Sequence, residues 1–343
     1  MTKGLFKIFG ISLILYFSIN IAVPYNTFLR NRSIENQINY INRILSEGYD
    51  DELQDRYPEG KVFSNAIFAL SVIEYSNRSK KFKKQYSRIL DQRVEVLISE
   101  STTVSFVEDM IPRFGAFYNG WVNLVLKKYI NSGLFELSDS QSEIKSAHKQ
   151  LSNALIKPQF DSIRVLDTYP GSYWPADNLV GILSLENKLI QELWLNKVIC
   201  ASETESKLIN HVGYSPSEIR GSSQALIVYL LSKYDFQYAL ECNKVFAGLL
   251  TKTYLNVDLV KEFKDESSGY SDIDSGPIIL GFGSVATVMN TKTQASLKNK
   301  RSRNTWAFLN TISVPINIAN SKYYLFKKEP MLDIFMLWCS VEL

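Results

Sequence analysis

Histidine and cysteine are scarce: the 343 residues hold two histidines and three cysteines. Cys200, Cys242 and Cys339 lie far apart with no C-x-x-C pair, and His148 and His211 have no ligand spacing between them. These absences exclude a zinc motif or a disulfide framework. They leave the thiols as buried helix residues and the histidines as surface or loop residues, with no metal or cofactor expected. An excess of one charge is also missing. Lys and Arg number 38 against 35 Asp and Glu, a net charge of +3, which is too small to steer the chain to nucleic acid. The basic runs Lys80-Lys81-Phe82-Lys83-Lys84 and Lys298-Asn299-Lys300-Arg301-Ser302-Arg303 are short and read as solvated faces. Hairpin signals and βαβ alternation are absent as well, so nothing competes with an all-α reading.

What is present is enough apolar material for a full core: 45% apolar residues against 21% charged. The longest uncharged run is at the start, Ile8 to Val23, preceded by Lys3 and Lys7 and closed by Pro24. It is short for a spanning helix and long for a signal-peptide core, so residues 1–25 are a signal anchor or a signal peptide. No A-x-A cleavage site follows, which tilts the reading toward an uncleaved anchor. Lys3 and Lys7 on one side nearly match Arg30 and Arg32 on the other, so the positive-inside rule is weak. The expectation is a membrane-anchored protein with residues 26–343 as one extracytoplasmic domain, on the periplasmic side of an inner membrane.

From Ile34 onward, helical periodicity alternates between polar and apolar versions. Ile34 to Leu45, Lys80 to Ile98, Ser138 to Leu155, Leu195 to Ala201, Phe236 to Thr253 and Leu297 to Ile312 are the polar or outer members. Val62 to Tyr75, Trp121 to Ile130, Leu179 to Ile190, Ala225 to Leu231, Ile278 to Met289 and Pro330 to Trp338 are the apolar ones. Turn-rich loops precede the apolar members at intervals of roughly 45 to 60 residues. Six apolar helices inside and six polar ones outside make a toroid of six helical hairpins, an (α/α)6 barrel. All inner helices then run the same way, and the loops ahead of them share one rim. Summed peptide dipoles favour carboxylates and anionic ligands there.

With the loops laid out in this way, the chain resembles the linalool dehydratase/isomerase-like (α/α)6 proteins. Tyr118-Asn119-Gly120-Trp121-Val122-Asn123-Leu124 resembles that family's Y-x-G-H-x-N-L helix start. Asp177-Asn178-Leu179-Val180-Gly181-Ile182-Leu183-Ser184-Leu185 resembles its C-N-S-V-A-Y-L-S-L stretch, and Asp272-Ile273-Asp274-Ser275-Gly276 its acidic loop before a late inner helix. The likeness covers roughly Tyr57 to Trp338 with sparse identities. It implies the fold and a rim pocket. The family's acid/base histidine falls at Trp121 and its pocket cysteine at Asp177, so terpene hydration is not carried over. The motifs P-x-D-N and D-x-D-S-G-P are closer to bacterial relatives without an assigned substrate.

Asp274, Asp177, Asp272 and Glu59 are the carboxylates that such a ring brings to one rim. Two carboxyl groups in unequal environments divide into general acid and general base, as in glycoside cleavage or the addition of water. Asp274 and Asp177 are the expected pair, with Asp272 and Glu59 in support. The structural alternative is that Asp177 and Asp274 merely cap their helices. Tyr57, Tyr118, Asn119, Trp121, Tyr173, Trp174, Asn178, Arg220 and Tyr270 are the expected substrate-binding residues. Polar-tipped rings suit the face of a sugar or an isoprenoid chain, and Arg220 holds an anionic group or pairs with a rim aspartate. Sharper motifs fail: Gly281-Phe282-Gly283 has no acidic residue after it before Glu329 to hold a ribose, and the twelfth position of a calcium loop from Asp272 is Gly283. Ser222 and Ser223 have no histidine in a matching loop, which argues against a hydrolytic triad. Two functions follow. One is cofactor-free acid/base catalysis, hydrolase or lyase, on a glycan or isoprenoid-like small molecule. The other is a non-catalytic glycan- or lipid-binding scaffold.

Overall fold

The computed structural model describes residues 2–79, 81–213, 219–264 and 275–343, with side chains described except at 2–9 and 326. Asp272, Asp274 and Tyr270 lie outside the described residues. Helices make up most of what is described: α1 (Thr2–Ala22), α2 (Thr27–Ser46), α3 (Tyr49–Arg56), α4 (Gly60–Ser76), α5 (Lys83–Ile98), the single turn α6 (Glu100–Thr103), α7 (Gly115–Ile130), α8 (Gln141–Asp161), α9 (Pro175–Ser184), α10 (Lys188–Ser202), α11 (Gly221–Tyr234), α12 (Phe236–Leu250), α13 (Ser284–Ser296), α14 (Arg301–Ile312) and α15 (Pro330–Ser340). Three two-stranded antiparallel hairpins join them: β1 (Thr251–Tyr254) with β2 (Val257–Val260), β3 (Ile278–Ile279) with β4 (Phe282–Gly283), and β5 (Ile316–Ile318) with β6 (Ser321–Tyr323).

Burial separates two kinds of helix. In α4 nearly every side chain is buried, polar Ser64, Asn65 and Ser71 included. In α5 only Tyr86, Ser87, Ile89, Leu90, Arg93, Val94 and Leu97 are, the stripe expected of a helix with one face to solvent. Among the described residues, α4 packs on α7, α7 on α9, α9 on α11, α11 on α13, α13 on α15, and α15 back on α4. This circuit of six closes on itself. Outside it, α5, α8, α10, α12 and α14 each pack against the circuit member just before them in the chain, while α2 and α3 pack on α15 and α4.

Aromatic rings meet across the middle of the circuit. Phe63 of α4 lies 5.2 Å from Trp121 of α7 and 5.8 Å from Phe335 of α15, and Trp338 of α15 touches Trp121 at 6.4 Å and Tyr229 of α11 at 5.2 Å between ring centres. These contacts tie α4, α7, α11 and α15 together through their side chains. Each such ring removes roughly 150–250 Å² from water, on the order of 4–6 kcal/mol as an upper bound. α7 and α9 approach closely: a Cβ on Gly120 would lie 3.0 Å from the Gly181 nitrogen, and one on Gly181 would lie 2.8 Å from the Trp194 ring of α10.

Two expectations about local structure are corrected. The late inner helix starts at Ser284, because Ile278-Ile279 pairs back on Phe282-Gly283 through Leu280 and Gly281 at φ 52° and 80°. Two consecutive positive φ values make the tight turn that a right-twisted hairpin needs. Ile278 therefore begins a hairpin and not the helix, and hairpins exist where none was expected.

No single helix among the described residues is long and apolar enough to cross a membrane; Gly10–Ala22 and Thr27–Ser46 together pass that test but are bent by 92°. α1 lies along α14. Asn310 Nδ2 donates to the Asn20 carbonyl and side-chain oxygens at 3.2 and 3.3 Å, and Val23 packs with Trp306, Leu309, Tyr324 and Met336. Beside them Lys322 is fully enclosed, donating to Ser33 and Asn310, and burial pulls it down to about 7 while burial pushes Asp333 up to about 8.

Candidate functional site

The loops ahead of α4, α9 and α11 converge. Tyr169-Pro170-Gly171-Ser172 is a tight turn, with Gly171 at φ 72° and Ser172 N–H donating to the Tyr169 carbonyl at 2.9 Å. It presents the Tyr169 hydroxyl to the Glu59 carboxylate at the start of α4, where the two are hydrogen-bonded. Thr168, just before the turn, accepts the Trp174 N–H at 3.2 Å and donates its hydroxyl to Asp177 Oδ2 at 3.0 Å. Trp174 is half-buried and edge-on to two rings, Tyr169 at 5.5 Å and His211 at 6.3 Å.

His211 leads into the second half of the cluster. Its Nδ1 is 2.6 Å from Ser223 Oγ, and its Nε2 faces Arg220 Nη1 at 3.4 Å. A guanidinium only donates, so Nε2 is the acceptor and Nδ1–H donates to Ser223. In this arrangement the Ser223 oxygen is the acceptor. This polarity is opposite to that of a hydrolytic triad, in which a carboxylate orients the base and the base accepts from the serine. Arg220 Nε in turn donates to Glu262 Oε1 at 3.0 Å, and Ser222 adds its hydroxyl to the same oxygen at 2.6 Å and its N–H to Oε2 at 3.3 Å.

Glu262 is fully buried and is placed by backbone alone. The Gly221 N–H donates to the Glu262 carbonyl at 2.7 Å on one side, and Glu262 N–H donates to the Gly281 carbonyl at 3.3 Å on the other. A Cβ on Gly221 would lie 2.1 Å from the Lys261 carbonyl oxygen, so α11 can start this close only with glycine there. Burial pushes the Glu262 carboxyl up, against the opposing pull of Ser222 and Arg220. Arg220 Nε thus pairs with a glutamate just beyond β2, and the aspartates of the Asp272–Asp274 loop lie outside the described residues.

The structure brings together Glu59, Asp177, Trp174 and Arg220 from the expected residues, and adds Tyr169, His211, Ser222, Ser223 and Glu262. Asp177 is the third residue of α9 and takes the Thr168 hydroxyl. Tyr57 is half-buried at the foot of α4 with its hydroxyl pushed up by burial. The others are occupied in the scaffold. Asn178 clamps Leu166 through both backbone groups and accepts the Trp194 indole N–H at 3.1 Å. Asn119 donates to the carbonyls of Arg113 and Gly115, and Tyr118 to that of Leu97, with its hydroxyl pushed up to about 12 by burial. Tyr173 is buried against Ala201 and Ser202, and Trp121 belongs to the central aromatic stack. Glu262 and His211 had no local signal; the only hint of a buried partner was Gly221-Ser222 beside Arg220, small residues where another segment must approach. Among the described residues no three His, Cys, Asp or Glu side chains are grouped as metal ligands. Comparison with protein-family models finds no match, and comparison with curated proteins finds none either.

Proposed function

We propose that the closed circuit is an (α/α)6 barrel of the linalool dehydratase/isomerase-like kind, and that its rim binds a small molecule with a sugar-like or isoprenoid part and transforms it by cofactor-free proton transfer, as a hydrolase or lyase. One observation carries the reading. Trp174 leaves part of its ring to solvent between a carboxylate–phenol pair, Glu59 and Tyr169, and an imidazole–hydroxyl pair, His211 and Ser223. An aromatic face flanked by oriented polar groups is the usual recipe for a sugar or a polar-headed apolar ligand. Asp274 and Asp177 are assigned as the acid/base pair, Asp272 and Glu59 as their support, and Arg220 as the group that fixes the anionic or polar substituent. The N-terminal helix holds the protein to a membrane, with the barrel on the extracytoplasmic side.

A second reading, a binding scaffold without turnover, is favoured by a different observation: Asp177 and Glu59 already accept hydrogen bonds from Thr168 and Tyr169. Such hydrogen bonds occupy the oxygen a substrate proton would need. One experiment separates the two. The full chain in detergent is melted against glycans, sugar phosphates and terpenoid alcohols, alongside Trp174→Leu and Asp274→Asn, and any stabilising compound is then followed for conversion. A hit lost in Trp174→Leu and converted by the parent but not by Asp274→Asn supports the enzyme. A hit lost in Trp174→Leu and never converted makes the scaffold the better reading, and no hit at all removes the rim site.

A further inference from the structure

The side of the molecule that carries α1 has an apolar surface with no purpose in the fold. α1 turns Asn20 inward, with Val23 buried just past its end, and leaves Ile14 66% and Leu15 55% exposed. Between α1, α14 and the β1–β2 hairpin runs a groove of about 490 Å³ lined by Phe17, Ile21, Tyr25, Leu255, Phe308 and Ile312 among others. Leu255 stands at the hairpin tip, 98% exposed, with Asn256 beside it and both at positive φ, 49° and 64°. Such a turn favours Asn, Asp or Gly at both places, so neither the turn nor the core accounts for a leucine there.

One edge of this surface is positively charged. Lys300 and Arg303 are exposed around the first turn of α14, next to Asn304 in the groove wall, while Arg301 between them is paired with Asp258 of β2 at 3.4 Å. Arg303 and Arg78 are both close enough to Arg30 that, after burial itself, they hold its guanidinium below the ordinary value. Neither α1 nor α14 contains an acidic residue. Two copies joined through this face would set arginine against arginine, whereas an anionic lipid surface meets both the charge and the apolar groove.

We propose that this face, made of α1, the exposed side of α14 and the tip of the β1–β2 hairpin, docks edgewise on an anionic lipid bilayer, with Leu255 and Ile312 in the acyl region and Arg303 among the headgroups. It rests on the membrane placement given above and goes beyond it: the helical body itself touches lipid, so the molecule has a defined attitude on the surface. That attitude is testable in the full chain reconstituted into vesicles containing about a third anionic phospholipid. With exposed Cys200 changed to serine, single cysteines replace Leu255, Ile312 and, on α8 as a control, Phe160; each carries a fluorophore quenched by brominated acyl chains. Labels at 255 and 312 are expected to be quenched at least about threefold more than the label at 160, which sits within the aqueous phase. Arg303→Glu with Lys300→Glu should cut quenching at 255 by more than half while the protein still floats with the vesicles. Flotation with labels 255 and 312 no more quenched than 160 overturns the docking and leaves the anchor standing; failure to float removes both. Mutual energy transfer between 255 labels on two chains, without lipid quenching, overturns it in favour of self-association.

Discussion

The two ends of the helical circuit each hold a buried cation against glutamate, and they differ in what surrounds the pair. At the far end Lys292 is fully enclosed, donating to Glu74 Oε2 at 2.9 Å, to the Trp338 carbonyl at 2.9 Å and to Glu342 Oε2 at 3.3 Å, with the rings of Tyr229 and Trp338 within 5 Å on its faces. Tyr229 closes the set by donating to Glu74. Four circuit helices are tied by one ammonium. At the rim Arg220 and Glu262 are equally enclosed, but their neighbours His211, Trp174 and Glu59 are half-buried. The carboxyls respond in opposite directions. Burial raises Glu342, but Lys292 and Lys233 outweigh it and the net is lowered; at Glu262 burial wins over Ser222 and Arg220 and the net is raised. A lysine with all three donors filled and both faces covered is a lock. The proposed ligand site adjoins the arginine pair, whose neighbours are only half-buried.

The sharpest way to break that contrast is Lys292→Met. It takes the buried cation from between Glu74 and Glu342, leaving Glu342 only its pair with Lys233, and is expected to cost about 2–4 kcal/mol in denaturant unfolding. A loss under about 1 kcal/mol would mean the far end is not a lock. Next comes Glu262→Gln, which keeps the shape but turns an amide towards the Arg220 and Ser222 donors, at about 1–3 kcal/mol on the acid side, where the parent carboxyl holds its proton. Its pH dependence separates it from the lock. The raised Glu262 keeps its proton in the fold after the unfolded chain has lost it, so the parent loses stability as pH rises from the ordinary carboxylate range upward. The deficit of Glu262→Gln should therefore shrink between about pH 4 and pH 7.

Much of the scaffold was readable in advance, for a physical reason. Inner helices such as α4 and α7 are apolar or small all round because both sides are covered, and outer ones such as α5 carry a single stripe, so burial writes itself into spacing. α13 breaks the rule: Thr287, Asn290, Thr291, Lys292, Thr293 and Gln294 are buried polar residues, each of the threonines bonding back to a carbonyl one turn earlier. The rim was readable only as loops. Trp174 and Arg220 stood next to turn signals, whereas Glu262 sits 42 residues from Arg220 and His211 reaches Ser223 across a loop, contacts that no local pattern encodes. The β3–β4 hairpin was hidden because its turn is built on Leu280 at positive φ, a residue that carries no turn signal.

Glu342→Gln tests the other side of the pH contrast with a smaller effect, about 1–2 kcal/mol at pH 7. Its folded carboxyl is lowered, so its stabilisation is complete above the unfolded value near 4.3 and is lost as pH falls through the folded one. Parent and Glu342→Gln should thus converge in acid, the reverse of the course expected for Glu262→Gln. Parallel curves for the two variants would show that the carboxyls do not sense their different surroundings.

The smallest expected effect is Tyr169→Phe, which removes a phenol hydroxyl from a half-buried carboxylate and leaves Glu59 able to take water in its place. At a partly solvated site the loss is about 0.5–1 kcal/mol or less, and Tm should barely move. Ligand response is where the change belongs: the Trp174 edge contact persists in the phenylalanine, so the aromatic face survives while the orientation of Glu59 is lost. A compound that stabilises the parent should stabilise Tyr169→Phe several-fold more weakly at equal concentration. An unchanged response together with a large drop in Tm would place the Tyr169–Glu59 contact with the lock at the other end, as part of what holds the helices together.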